Sequence, residues 1–199
     1  MPQHPAKTTE LSAVNTMLEV IGETPIDSLT DLLPADAATA RNILDETSRD
    51  VQSKGWNFNR EFGYPLTPDS KTGEITVPET FVHIELAGHD AVIRGARLYD
   101  RRSHTYKFDP KRTYKADVIQ ILPFSDLPEQ ARHYITIRAA RIFQSRAIGS
   151  DTLHGFAQEE EYRALAELRR YDARMNDTTM LGRRKNILHR WRPGKVLER

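Results

Sequence analysis

No cysteine occurs in the 199-residue sequence, which excludes a disulfide framework, a thiolate metal site and a cysteine nucleophile together. Stability must then come from packing or from partner subunits. The opening residues, Met1-Pro2-Gln3-His4-Pro5-Ala6-Lys7, lack the apolar stretch of a signal peptide, and no later run approaches the length needed to span a bilayer. Folding and assembly in the cytoplasm, without membrane insertion, are expected. An excess of one charge is missing too, since Lys+Arg number 29 against Asp+Glu 28, a formal charge of +1. Composition therefore makes no global electrostatic case for nucleic-acid binding. The phosphate-cradling GxxxxGKS/T and GxGxxG loops, the zinc-binding HExxH and the serine-exposing GxSxG are all absent, which removes the most recognisable enzyme classes. No cofactor or metal is expected, and a non-enzymatic role is the simpler reading.

What is present can fold. Hydrophobic residues make up 38% and charged residues 29%, enough to bury one core, or a core with a small inserted domain, under a well-solvated surface. Charge is distributed unevenly. After Tyr171 the basic residues Arg174, Arg183, Arg184, Lys185, Arg190, Arg192, Lys195 and Arg199 are opposed only by Asp172, Asp177 and Glu198. Internal repeats and low-complexity segments are lacking, and only residues 1–7 and about 177–199 read as linker or arm.

Thr9 caps a predicted helix over roughly 9–21 with Leu11, Val14, Leu18 and Ile21 on one face, stopped by Gly22 and Pro25. Asp36 precedes a second helical pattern of Ala37, Ala40, Ile43, Leu44, Thr47 and Val51, with Lys54 in the last turn and Gly55 ending it. From Trp56 and Phe58 the period changes to two, continuing through Phe62, Tyr64 and Leu66. After the turn at Asp69–Gly73, strands are expected at Ile75 and Val77, at Val82, Ile84 and Leu86, and over Ala91–Tyr99, Thr105–Phe108 and Lys115–Leu122. About seven short strands at hairpin spacing predict an antiparallel sheet or small sandwich. Asp126 or Ser125 caps a third helix in which Pro128 is early and Leu127, Ala131, Ile135, Ala139, Ile142 and Phe143 share a face. Ser150 or Asp151 opens a fourth, carrying Phe156, Glu160, Ala164, Leu168, Tyr171 and Met175. The expected fold is α+β: a four-helix core (8–55 and 124–176) interrupted by an antiparallel β insertion (56–123), with an N-terminal arm (1–7) and an extended basic C-terminal arm (177–199).

Candidate chemistry is sparse. His83, Glu85, His89 and Asp90 are the nearest approach to a metal or acid–base cluster, and a small hydrolase would use His83, Glu85 and His89. Strand alternation favours a solvated face instead. Glu159-Glu160-Glu161 would point in different directions around a helix, complementing its dipole. Trp56 and Phe58 could stack bases, but no basic residues interleave with them, and packing is the better reading. Tyr99, Asp100, Arg101 and Arg102 form a candidate interface with the charged and aromatic composition of binding hot spots. In the C-terminal arm, Arg183, Arg184, Lys185, Arg190, Trp191, Arg192 and Lys195 are candidate contacts to a partner or to DNA. Leu181, Ile187, Leu188, Val196 and Leu197 lie among them, which favours a docking arm over plain solvation.

Several strings carry a resemblance. Glu10-Leu11-Ser12-Ala13-Val14-Asn15, then Met17-Leu18 and Ile21-Gly22-Glu23-Thr24-Pro25-Ile26, resemble the opening of tail tubular protein A, the tail adaptor or gatekeeper of T7-like short-tailed bacteriophages. Arg41-Asn42-Ile43-Leu44 and Val51-Gln52-Ser53-Lys54-Gly55-Trp56-Asn57-Phe58-Asn59 resemble that family's second helix and its exit. Leu98-Tyr99-Asp100-Arg101, Leu127-Pro128-Glu129, Ala139-Ala140-Arg141-Ile142-Phe143-Gln144, Gln158-Glu159-Glu160-Glu161 and Thr179-Met180-Leu181 follow in the family's order. The basic stretch beyond Leu181 is longer and more positive than the family pattern. The resemblance implies a structural virion protein, without enzymatic activity, in a dodecameric ring between portal and tail nozzle. Its implied partners are other copies of itself, the portal protein, the nozzle protein (tail tubular protein B), tail fibres, and double-stranded DNA passing through the channel during ejection. The alternative from the residues alone is a nucleic-acid-binding accessory protein that uses the basic arm.

Overall fold

A computed structural model describes residues 7–30, 32–147 and 158–175. Helix α1 (Glu10–Val20) starts as expected at Thr9, whose hydroxyl accepts from the Ser12 N–H at 3.1 Å while the Ser12 hydroxyl accepts from the Thr9 N–H at 2.8 Å. It ends at Gly22, φ +81°, where the Glu23 N–H reaches the Leu18 carbonyl and the Gly22 N–H the Glu19 carbonyl. That left-handed closure needs glycine and satisfies two otherwise open carbonyls. Helix α2 (Ala35–Ser53) starts one residue before the expected cap. Pro34 occupies the cap position and Asp36 lies in the first turn, where a carboxylate faces the positive end of the helix dipole.

The alternating pattern expected from Trp56 begins later. Asn57–Asn59 form a single 3-10 turn, and the first strand, β1, spans Arg60–Leu66. Strands β2 (Phe81–Leu86), β3 (Ala91–Arg94), β4 (Arg97–Asp100) and β5 (Tyr114–Gln120) follow. They make an antiparallel sheet of order β1-β5-β2 and a β3-β4 hairpin. The stretch read as one strand over Ala91–Tyr99 is therefore two, folded back at Gly95, φ +61°. Glu74, Thr76, Thr105 and Lys107 make only isolated bridges, so the expected strands there are extended connections. Their neighbours Ile75, Val77 and Phe108 are nonetheless buried.

In β2 the inward set is Phe81, Ile84 and Leu86, while Val82 is 41% exposed. A register shift between Phe81 and His83 turns Val82 outward, because an extra residue in a strand reverses the alternation on one side of it.

Helix α3 (Glu129–Ala147) follows a 3-10 turn at Phe124–Asp126. Ser125 and Asp126 thus sit in that turn, and Pro128 immediately precedes the helix. Helix α4 covers 158–175 of the described residues, and its expected start at Ser150 or Asp151, with Phe156, lies outside them.

Two clusters of buried side chains result. One joins all four helices through residues such as Met17, Leu44, Tyr134, Ile135 and Leu168. The other fills the β structure with Leu66, Ile75, Phe81, Ile84, Leu98 and Val118. Burying each Leu- or Ile-sized side chain is worth about 1.5–3 kcal/mol. Trp56, Phe58 and Leu122 belong by contact to the helical cluster.

Candidate interaction surfaces

The two clusters are joined where the chain leaves α2 and returns from β5, and polar side chains make the joint. Gln52 is fully buried. Its amide donates to the Leu122 carbonyl at 3.1 Å and accepts from the Leu122 N–H at 2.8 Å. The Asn59 amide donates to the carbonyls of Gln52 and Gln120, each at 2.9 Å, and accepts from the Trp56 N–H. Two side-chain amides thereby satisfy backbone groups on both crossing segments that burial would otherwise leave costly. Gly55, φ +73°, lies so close to Ile119 that a Cβ built there would be 2.4 Å from its Cδ1. The Trp56 indole donates to the Val51 carbonyl at 2.8 Å, so Trp56 is a packing element of this joint. At its far side the Asn57 N–H donates to the Asp172 carboxylate of α4 at 2.7 Å.

A second local lock holds the segment between α1 and α2. The Asn15 amide brackets the backbone of Ile26, donating to its carbonyl at 3.0 Å and accepting from its N–H at 2.9 Å. Ile26, Leu29 and Leu33 pack on the helical cluster, whereas Leu32 is 96% exposed.

The β3-β4 hairpin has two unlike faces. Leu98 is fully buried on the inner one. Register places Val92, Arg94, Arg97 and Tyr99 together on the outer one. There the Arg94 guanidinium lies 3.8 Å from the centre of the Tyr99 ring and that of Arg97 4.4 Å from the centre of Tyr106. The two tyrosines meet edge to face at 4.8 Å. Such stacks are attractive through the ring quadrupole and fix otherwise mobile arginines. Arg97 is further paired with Glu74 at 2.7 Å.

Of the four candidate interface residues, Tyr99 belongs to this outer face and Arg102 is exposed. Arg101 is ion-paired with Asp90. Asp100 instead points inward: it accepts from the N–H groups of Arg102 at 2.8 Å and Ser103 at 3.1 Å, and contacts His89 Nδ1 at 3.3 Å. The Ser103 N–H above all, with His89 and the Arg102 N–H, holds the Asp100 carboxyl below the ordinary carboxylate range against the opposing effect of burial. Asp69 is lowered likewise by the N–H groups of Thr72 and Lys71. Asp45, on α2, moves the other way, raised by partial burial and then by Glu10.

The other candidates are dispersed. His89 packs edge-on against Tyr114 and Phe108, while His83 and Glu85 lie on the exposed side of β2. Among the described residues no group of three or more His, Asp or Glu could hold a metal ion. Glu161 pairs with Arg141 and with Arg138, and Glu159 with Arg163, so two of the three glutamates are engaged in ion pairs along and between helices. Arg183, Arg184, Lys185, Arg190, Trp191, Arg192 and Lys195 lie outside the described residues.

An open groove of about 830 Å³ lies between β2 and β3, bordered by Val82, Ile84, Leu86, Ala91, Ile93 and Arg102. Among the described residues β2 pairs only with β5 and β3 only with β4, so both strands offer it an unpaired edge. Sequence reasoning missed the Gln52–Asn59 joint, the Arg94–Tyr106 stack, this groove and the exposed Leu32. Two amide-bearing residues, Gln52 and Asn59, on either side of Gly55 at a helix exit were the available signal for the first.

The buried polar groups of these two cores go largely to backbone clamps, turns and ion pairs. The fold is of the α+β class, four helices among the described residues with antiparallel β structure between the second and third. The family model for tail tubular proteins matches residues 11–178, and the chain belongs to that family, as a structural component of a phage tail. A comparison with curated proteins found no match. Among the described residues no helix is long and apolar enough to cross a membrane.

Proposed function

We propose that this protein forms a dodecameric adaptor ring between the portal and the tail nozzle of a short-tailed phage. The ring is assembled in the host cytoplasm, serves as a gatekeeper conduit for genome ejection and carries the tail fibres. The observation that carries this reading is the family match over residues 11–178, which spans both cores and the joint between them. In this reading the helical body (8–55 and 124–176) builds the ring and the β insertion (56–123) presents its outward face to the nozzle or fibres. Ring subunits need two different flanks for their neighbours and further surfaces above and below, but no catalytic groups. A channel that passes DNA must also avoid gripping phosphates, and the near-neutral charge of the chain, +1 overall, suits that requirement. Mixing the purified protein with portal and nozzle proteins tests it: a ternary particle forms if the adaptor reading is right. A protein that remains monomeric beside both, and is missing from tail particles, is not an adaptor.

The arm supports a second reading. Residues 177–199 carry seven Lys or Arg against Asp177 and Glu198, a density suited to phosphate contact. Filter binding to duplex DNA over a salt series, on the full chain and on one ending at Asn176, separates the two. Arm-dependent binding whose logarithmic salt slope is about 0.9 per neutralised phosphate identifies a DNA contact, and its absence removes that reading.

A further inference from the structure

We propose that the outer face of the β3-β4 hairpin is a receptor for carboxylates on an acidic segment of a neighbouring tail protein, with Arg94 as its central group. This deepens the reading in which the β insertion meets a partner, and rests on it.

Arg94 and Arg97 stand directly opposite each other across the hairpin. Like charges in that position repel and cost an isolated hairpin stability. Arg97 is relieved from within the subunit, its Nη1 donating to Glu74 Oε1 at 2.7 Å. Arg94 makes no ion pair among the described residues, and its guanidinium lies over the Tyr99 ring, 3.8 Å from the centroid.

A stacked guanidinium commits only its flat face to the ring. Its N–H donors lie in the plane and stay open to a carboxylate, which accepts from two of them at once. Arg97 shows that combination on the same face, lying 4.4 Å from the centre of Tyr106 while it holds Glu74. Arg94 repeats the stacked half of the arrangement and lacks the carboxylate. The edge-to-face contact of Tyr99 with Tyr106, 4.8 Å between centroids, ties both stacks into one array. An incoming carboxylate therefore meets a guanidinium already held in place, which lowers the entropy lost on binding.

Charge on this face calls for an acidic occupant. Lys107, bridged to Glu74 across the backbone, is exposed, so Arg94, Arg97 and Lys107 are set against Glu74 alone. A nucleic-acid backbone is gripped by a row of free cations. Arg94 instead shares its surroundings with two tyrosine rings, the Tyr and Arg composition of a protein-interface hot spot.

Full-length Arg94→Lys protein, assembled into tail particles and treated with a water-soluble carbodiimide, gives the test, because that reagent joins an amine to a carboxylate in contact with it. An adduct between position 94 and an Asp or Glu of another tail protein is the expected product, located by mass spectrometry. Wild-type particles, with arginine there, give none at that position. Arg94→Glu puts a carboxylate opposite Arg97 and so keeps the fold, which thermal unfolding of the isolated protein checks. Retention of the partner by that variant should fall at least about tenfold, and changing the partner's adduct-forming carboxylate to lysine should restore it. Intact particles with no adduct at position 94, an adduct only to a second copy of this chain, or wild-type partner retention by Arg94→Glu overturn the receptor and leave the ring reading standing. Duplex-DNA binding that is lost in Arg94→Glu, with no adduct, assigns the face to phosphate and overturns it as well. Particles from which the wild-type protein is missing overturn the ring reading and the receptor with it.

Discussion

Seven of the buried positions in the helical cluster are alanine, namely Ala13, Ala37, Ala40, Ala131, Ala139, Ala140 and Ala164. The β cluster has only Ala91 and Ala116. Small side chains let helix axes approach closely and spread cohesion over long contact lines. The β cluster relies instead on bulky residues held by turns, and those turns are fastened by ionised carboxylates at Asp69 and Asp100. In the helical body Asp45 goes the other way, its pKa raised by partial desolvation and by Glu10. The two cores therefore answer differently to packing defects and to acid.

The largest expected effects come from cutting into each core separately. Leu168→Ala in α4 and Leu98→Ala in β4, both at fully buried positions, should each cost about 2–5 kcal/mol. Amide exchange read residue by residue should show protection lost mainly within the cluster that was cut. Uniform loss across both would show that the joint couples them into one cooperative unit.

At the joint, Gly55→Ala should cost about 1–2 kcal/mol for the left-handed backbone and a further 1–3 kcal/mol, roughly, for overlap with Ile119. Gln52→Ala should cost about 1–3 kcal/mol by leaving the partly buried Leu122 backbone without its partner, with exchange at the Leu122 amide rising first. Denaturant titration followed by Trp56 fluorescence reads both. If either variant has wild-type stability, the joint is not the fastening described.

Acid gives the smallest and most selective effect. Asp100 and Asp69 have lowered native pKa values, so their contribution is present above the ordinary carboxylate pKa of about 4 and is lost as pH falls through the native value. Asp45 is raised, so its penalty is present at neutral pH and is relieved on acidification. Asp100→Asn should accordingly destabilise the β structure at pH 7 and flatten its acid transition, while Asp45→Asn should slightly stabilise the helical body. Equal effects of the two substitutions on thermal stability at pH 7 would remove the contrast.

The helical half was legible because its signals are local and periodic: Thr9 and Gly22 bound α1, and every third or fourth residue of α2 is buried. The β half was legible in class but not in detail. A one-residue register shift reverses which face Val82 occupies, and a two-residue reversal at Gly95 splits one alternating run into a hairpin. Neither changes the alternation that a sequence displays. Asp100 looked like a surface charge because the turn whose N–H groups draw it inward exists only once Arg102 and Ser103 are folded. The string around Gln52, Gly55 and Asn59 was visible as a family resemblance, and its physical reason is the clamp across two chain crossings that are 70 residues apart in sequence.

The most direct test of the adaptor assignment is an image of the assembled tail at side-chain resolution. Twelve copies of this chain in one closed ring, seated between portal and nozzle with DNA passing through its centre, are the expected result. Density for the chain at any other position in the tail, or a portal joined directly to the nozzle without it, would contradict that assignment.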